Sequence, residues 1–129
     1  MIEHLDRQGK RLAAGVAAAA AHHGISRLFL PAGKPCCLAY ATLDAEEKPS
    51  QAMRSLFMQE TIRRGVLAPS FVVSYSHTDD DIDRTVEAID EALAGYARAL
   101  EDGPERDLVG RPSQVVYRQY NDARYTDAR

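Results

Sequence analysis

The histidines are the first candidates for functional residues in this sequence, because imidazole can bind a transition metal or move a proton near neutral pH. His22 and His23 are adjacent near the end of a predicted helix. Two imidazoles could ligate zinc, but no carboxylate or thiol lies near them at ligand spacing. Histidines at the C-terminus of a helix also interact favourably with its dipole. The sequence therefore predicts no metal site at this pair.

His77 is a second candidate, as a general base. It directly precedes Thr78, a predicted helix N-cap, where a side chain usually belongs to the local turn. The acidic run at residues 79–81 could supply half of a cation site, but it lacks the glycine and the distal glutamate of a calcium loop. Helix capping explains the run better, and we predict no catalytic or metal-binding residue here.

The two cysteines, Cys36 and Cys37, are consecutive. Consecutive residues of a strand point to opposite faces, so a disulfide between them would need a strained peptide. The sequence predicts two reduced thiols. Neither has the cationic setting that activates a nucleophilic cysteine, so packing is their expected role.

Composition describes an ordinary globular chain of 129 residues, with 45% hydrophobic residues, 27% charged residues and a net charge of −3. The interspersed charges predict no nucleic-acid partner and no attraction to anionic lipid. No apolar run approaches the ~20 residues of a membrane span, and the first residues are charged where a signal peptide would be apolar. We expect a cytoplasmic protein without a membrane partner.

The run at residues 63–85 predicts a helix end, strand structure and a helix start in succession. Arg63 and Arg64 suit the last turn of a helix, and Gly65 can take the left-handed conformation that closes it. Residues 66–76 predict a short strand, a kink and a second strand. Thr78 and Asp81 have the spacing of a capping box, which starts a long helix at Asp79.

The remaining elements follow from periodicity. A first helix reaches about His23, with alanine and glycine on an inner face that should pack closely. Strands are predicted at residues 27–31 and 36–42, the second buried on both faces because it is continuously apolar. A second helix covers residues 50–64, with a buried stripe and with Glu60 facing water. The third helix ends at Gly103.

This order predicts an α+β or α/β layer fold, with three helices on one face of a small, mainly antiparallel sheet. Leu38, Phe71 and Val73 are expected on a sheet face that lacks cover, which would suit a partner surface. Residues 1–103 form the predicted domain, and residues 104–129 a polar tail. Residues 115–117 could anchor part of the tail, and disorder is expected beyond Asn121.

The central run also carries a family resemblance. Arg-Arg-Gly-Val-Leu-Ala-Pro-Ser at residues 63–70, followed by Ser-His-Thr-Asp-Asp-Asp-Ile-Asp-Arg-Thr at 76–85, resembles the C-terminal small domain of class III aminotransferases. These are pyridoxal-phosphate enzymes of fold type I, and the most similar subgroup is glutamate-1-semialdehyde 2,1-aminomutase-like. The resemblance extends from the first helix to Val-Gly-Arg-Pro at residues 109–112, and so covers most of the chain.

The resemblance implies that the catalytic groups lie elsewhere. In the family a large domain carries the Schiff-base lysine and most contacts to pyridoxal phosphate, and the parent enzyme is expected to be a homodimer. Lys10, Lys34 and Lys48 are the only lysines here, and their sequence settings desolvate none of them. The chain alone should therefore bind no cofactor and be inactive, with the large domain, in the same or a separate chain, as its partner.

The family's small domain closes over the cofactor and shapes the substrate entrance. The matching loop here is residues 68–71, and we expect Pro69, Ser70, Phe71 and Tyr75 to line that entrance. In glutamate-semialdehyde aminomutases the loop continues with a glutamate near the active site, whereas Ser70 here is followed by Phe-Val-Val. An aminotransferase acting on another amine or aldehyde is therefore at least as plausible. A standalone interaction or regulatory module, one subunit of a split aminotransferase and a fragment of a longer protein remain alternatives.

Overall fold

The computed structural model of the chain describes residues 1–114. It contains three α-helices, α1 (Ile2–His22), α2 (Gln51–Arg63) and α3 (Asp79–Asp102), and three strands, β1 (Phe29–Lys34), β2 (Cys37–Thr42) and β3 (Phe71–Val72). A short 3₁₀ helix follows at Pro104–Arg106. The predictions for residues 115–117 and for the chain beyond Asn121 lie outside the described residues.

The strands form one antiparallel sheet in the order β1-β2-β3. Phe29 pairs with Thr42 at one end of the β1–β2 hairpin and Lys34 with Cys37 at the other, while Leu38 of β2 pairs with Phe71 of β3. The fold is a small α+β domain, as the sequence predicts. β1 runs three residues beyond the strand predicted at residues 27–31, because Ala32, Gly33 and Lys34 also pair with β2.

Burial alternates along β2 from exposed Cys37 to buried Thr42, so the prediction of burial on both faces is wrong. The buried side chains of the strands face the helices. Leu38, Phe71 and Val73 are on this covered face and no more than 5% exposed, which overturns their expected lack of cover. The sheet face turned away from the helices instead carries exposed Leu30 and Val72.

Small residues bring α1 close to its neighbours, as the alanine and glycine content predicts. A Cβ added at Gly9 would lie 2.3 Å from the carbonyl oxygen of Pro35, and one at Gly15 would lie 2.5 Å from a methyl carbon of Val86. Neither distance is possible unless the backbone at Pro35 or the side chain of Val86 shifts. Glycine at Gly9 therefore lets α1 approach the β1–β2 turn, and Gly15 lets it approach α3.

The helix ends match the capping signals. Ser50 accepts a hydrogen bond from the Met53 amide at the start of α2, and Thr78 and Asp81 form the predicted capping box at the start of α3. Gly65, with φ of 80°, follows the end of α2 in the left-handed conformation. Between the end of α2 and the start of α3 the chain is mostly irregular. Two strands were predicted in this region, but only Phe71–Val72 forms one.

Aromatic rings fill the space between the sheet and the helices. Phe29 lies 4.8 Å from Phe57 and 5.1 Å from Tyr40 between ring centroids, and Tyr40 stacks on Phe71 at 5.0 Å. Tyr96 of α3 meets Phe29 edge-on at 6.0 Å. These centroid distances lie in the range of favourable aromatic pairs. We call these five rings the aromatic cluster.

Two parts of the chain that were predicted to face solvent make contacts with the rest of the domain instead. Glu60 of α2 was predicted to face water, but it is buried, because Arg63 and Arg64 in the following turn pair with both of its oxygens. After α3, the Asp107 carbonyl accepts from the Gln59 side chain and the Ser113 amide donates to Ser55. The described part of the predicted tail therefore lies along α2.

Within residues 1–114, every helix is too short or too polar to cross a membrane.

Replacing Tyr96 with phenylalanine tests how strongly α3 depends on its buried hydroxyl group. That hydroxyl donates to the Leu43 carbonyl at 2.6 Å and lies 3.2 Å from the Leu28 carbonyl. We expect Tyr96→Phe to lower the free energy of unfolding by about 1–2 kcal/mol, because buried acceptors lose their donor. Urea unfolding should show a lower midpoint with an unchanged slope. Tyr75→Phe, at a residue that is 62% exposed, is the control and should change stability by less than about 0.5 kcal/mol.

Candidate functional site

The loop at residues 65–74 carries most of the predicted entrance residues, and both of its ends are fixed. At its start, the amides of Gly65 and Val66 donate to the carbonyls of Ile62 and Thr61, which closes α2. Near its end, the Val73 amide donates to the Cys36 carbonyl and the Ser74 amide to the His77 ring. We call this segment the 65–74 loop.

Two side chains hold the middle of the 65–74 loop from beneath. The Tyr40 hydroxyl donates to the Ala68 carbonyl at 2.6 Å. Arg54 donates to the Pro69 carbonyl at 2.6 Å and to the Tyr40 carbonyl at 3.2 Å, and its guanidinium lies 4.5 Å from the centre of the Tyr40 ring. Burial raises the pKa of Tyr40 above its ordinary value, outweighing the opposing charge of Arg54. The hydroxyl therefore keeps its proton and remains a donor near neutral pH.

A cavity of about 240 Å³ opens between this loop and the start of α3. Loop residues, including Ser70 and Phe71, line one side of the cavity. The opposite wall is lined by Leu12 of α1 and by residues at and before the start of α3: His77, Asp81, Ile82 and Thr85. Asp81 is engaged in the capping box, and hydrogen bonds from the Thr78 amide and hydroxyl lower the pKa of its carboxyl group. The cavity wall therefore carries a fixed negative charge.

The four predicted entrance residues have different surroundings. Pro69 is exposed at the middle of the loop and Ser70 is partly buried at the cavity. The Phe71 side chain is only 2% exposed, because it belongs to the aromatic cluster and supports the loop from inside. Tyr75 is exposed beside His4, with 5.1 Å between ring centroids, and lines a separate shallow groove. The structure brings Ser70 and Phe71 to one cavity and leaves Tyr75 apart from it.

The end of α2 is held by a cluster of charges that the sequence did not reveal. Glu60 pairs with Arg63 at 2.8 Å and with Arg64 at 2.9 Å, and Arg64 also reaches Glu91 of α3 at 2.6 Å. Burial alone would raise the pKa of Glu60, but hydrogen bonds from Arg64 and Gln59 and the two positive charges together lower it. This cluster fixes the point where the 65–74 loop leaves α2.

The histidine pair has a partner that sequence spacing could not identify. His22 and His23 both approach the carboxylate of Asp90 on α3, at 3.3 and 3.2 Å. Asp90 is far from both in sequence, and only the packing of α1 on α3 brings the three together. Tyr40 and Arg54 were missed as loop supports for the same reason, since their sequence settings carry no signal of a contact with residues 68 and 69.

Comparison with known proteins shows a similarity to one segment of an enzyme. No protein-family model matches the chain. The glutamate-1-semialdehyde 2,1-aminomutase of Akkermansia muciniphila is 33% identical over 102 residues, which cover 71% of this chain and 24% of that protein. The chain spans about a quarter of the length of this relative. It is therefore a distant homologue of one segment of an aminomutase.

Arg54→Lys tests whether the guanidinium holds the 65–74 loop. A lysine ammonium is a point charge that cannot reproduce the planar contacts to two carbonyl oxygens and to the Tyr40 ring. We expect exchange of the Val66 and Val73 amide hydrogens, which are bonded to the Thr61 and Cys36 carbonyls, to become about tenfold faster, as the loss of roughly 1.4 kcal/mol of local stability implies. Arg98→Lys, on the exposed surface of α3, is the control. Equal exchange in both variants would show that the loop is held by other contacts.

Glu60→Gln tests the charge cluster through its pH dependence. Because the pKa of Glu60 is lowered in the folded state, its stabilisation is complete above the unfolded value of about 4.3 and disappears as the pH falls through the folded pKa. We expect the variant to be about 1 kcal/mol less stable than the wild type at pH 7. The difference should shrink toward zero near pH 3 in urea unfolding. Glu101→Gln, at an exposed position of α3, should show no such trend.

Proposed function

We propose that the chain is the small C-terminal domain of a class III pyridoxal-phosphate-dependent aminotransferase or glutamate-1-semialdehyde aminomutase-like enzyme. In this role it supplies lid and substrate-entrance surface to a larger domain, in the same or a separate chain, of a parent enzyme that is proposed to be a homodimer. The observation that carries the proposal is the 33% identity over 102 residues to an aminomutase. Since the alignment covers 24% of that protein, the reaction itself is assigned to the partner domain.

The surface beside the 65–74 loop supports a role in contact with a larger domain. Leu67 is 74% exposed and Val72 is 57% exposed, and both line the rim of the cavity. Small-molecule sites usually have volumes of roughly 300–1,000 Å³, so a cavity of about 240 Å³ is small for a complete substrate. Its size and apolar rim suit the insertion of a side chain from a partner domain. Ser70 lines the cavity and the preceding Pro69 is exposed on the same loop, where a lid would meet its partner.

The described residues do not fit pyridoxal phosphate. All three lysines of the chain are exposed, and Lys10 pairs with Asp6 at 2.6 Å, so none has the desolvated setting of a nucleophilic amine. The cavity wall contains the Asp81 carboxylate but no lysine or arginine, and a fixed negative charge repels a phosphate group. The proposal therefore assigns the cofactor to the larger domain and treats this chain alone as inactive.

The reaction of the parent enzyme is proposed as amino-group transfer in the broad sense. In the aminomutases that this chain resembles, a glutamate follows the loop. This chain has Phe-Val-Val after Ser70 instead. Transfer between an amine and an aldehyde or ketone other than glutamate semialdehyde is therefore as strong a candidate as the aminomutase reaction. The similarity to a named aminomutase supports the family and leaves the substrate to experiment.

The proposal can be tested by supplying this chain in place of the aligned segment of the relative. The chain would be mixed with the Akkermansia muciniphila aminomutase lacking its aligned segment, and it would also replace that segment in a full-length chimera. We expect association in size-exclusion chromatography, or a folded chimera that retains pyridoxal phosphate and measurable activity. Leu67→Asp should weaken association at least about tenfold, because an apolar contact would become a buried charge. Val109→Asp, at a residue 79% exposed in the segment after α3, is the matched control.

A folded chimera without cofactor or activity, together with no association of the separate chains, would overturn the proposal and favour a standalone module. Activity only after mixing separate chains would favour a split enzyme. A further measurement addresses the chain alone: equimolar pyridoxal phosphate followed by borohydride should leave no stoichiometric label on Lys10, Lys34 or Lys48 in mass spectrometry. A saturable label on one lysine would show that this chain carries its own reactive amine.

A further inference from the structure

We propose that His22, His23 and Asp90 form a binding site for a divalent transition metal of the zinc class, independent of the proposed enzyme role. One ligand atom from each of these residues can be chosen so that all three lie within 4.8 Å of one another. They come from the C-terminal end of α1 and from the middle of α3. Imidazole nitrogen and carboxylate oxygen are ligands that zinc prefers, and three protein ligands leave a fourth position for water.

The distances are compatible with shared coordination of one metal ion, although the His22–Asp90 contact also lies within hydrogen-bond distance. Zinc bonds of about 2.05 Å in a tetrahedron place neighbouring ligand atoms about 3.3 Å apart. The Asp90 oxygen lies 3.3 Å from Nδ1 of His22 and 3.2 Å from Nε2 of His23. Charge-assisted hydrogen bonds between nitrogen and oxygen are shorter, at about 2.7–2.9 Å. One oxygen therefore already lies at metal-ligand separation from both imidazoles.

His23 provides a second, independent observation. Its Nε2 atom is buried and has no hydrogen-bond partner, although the Asp90 oxygen is close to it. The His23 side chain is 17% exposed, so the ring is held in place against the protein. A buried polar atom without a partner costs free energy that a bound ligand would recover. An ion placed between this nitrogen and Asp90 would satisfy it.

The surroundings favour a cation and leave room for one. Ala18 and Ala19 of α1 have small side chains and line a cleft of about 460 Å³ together with His22 and Asp90. Glu87, one turn before Asp90 on α3, lines the same cleft and adds a second carboxylate. Soft and borderline metals such as zinc, copper and nickel accept imidazole, whereas magnesium and calcium require mostly oxygen ligands. The predicted selectivity is therefore for the first group.

The test is calorimetric titration of ZnCl₂ into the purified chain after treatment with EDTA. Cys36→Ser and Cys37→Ser are introduced in every sample, because both thiols are free and thiols can bind zinc themselves. We expect one zinc ion per chain, and at least about tenfold weaker binding in Asp90→Asn and in His23→Gln. His4→Gln is the matched control, since His4 lies on the first turn of α1 and contacts the His77 carbonyl and Tyr75. MgCl₂ and CaCl₂ should not compete.

A second measurement keeps the proposal testable if a variant is poorly folded. Two-dimensional NMR of the imidazole nitrogens in the parent sample should show zinc-dependent shifts for His22 and His23 and none for His4 and His77. Equal zinc affinity in Asp90→Asn and its parent, or shifts confined to His4 and His77, would overturn the site. Loss of all zinc binding on replacement of the two cysteines would overturn it as well, because the thiols would then be the ligands.

Discussion

The arrangement of this domain depends on the burial of two tyrosine hydroxyl groups in the aromatic cluster. A buried hydroxyl without a partner costs roughly 1–3 kcal/mol, so each ring can occupy the core only where a carbonyl accepts its proton. Tyr96 meets this requirement at Leu28 and Leu43, on either side of the β1–β2 hairpin. Tyr40 meets it at Ala68. The hydroxyls thus fix the hairpin against α3 and the 65–74 loop against the sheet.

Local signals in the sequence predicted the helices well, because helix ends are determined by residues a few positions apart. Thr78 with Asp81 at the start of α3 and Gly65 after α2 are examples, and the structure confirms both. The strands were less predictable. Residues 37–42 are almost all apolar, so their pattern suggested burial on both faces, while alanine and cysteine at the exposed positions are small enough to tolerate water.

Features that depend on distant residues were not predictable from the sequence. Glu60 has the appearance of a surface residue, and it is buried only because Arg63 and Arg64 neutralise it. His22 and His23 had no ligand partner in the sequence, since Asp90 reaches them through the packing of two helices. The entrance residues followed from the resemblance alone. The contacts of Tyr40 and Arg54 that position this loop become visible only in three dimensions.

The outer edge of β1 has a consequence for the behaviour of the isolated chain. Within the described residues β1 has β2 on one side only, and an unpaired strand edge can recruit strands from other molecules. Pro31 interrupts that edge, because proline lacks the amide hydrogen that a new neighbour would need. Lys34 adds a positive charge at the end of the same strand. This edge of the sheet therefore resists extension by further copies of the chain.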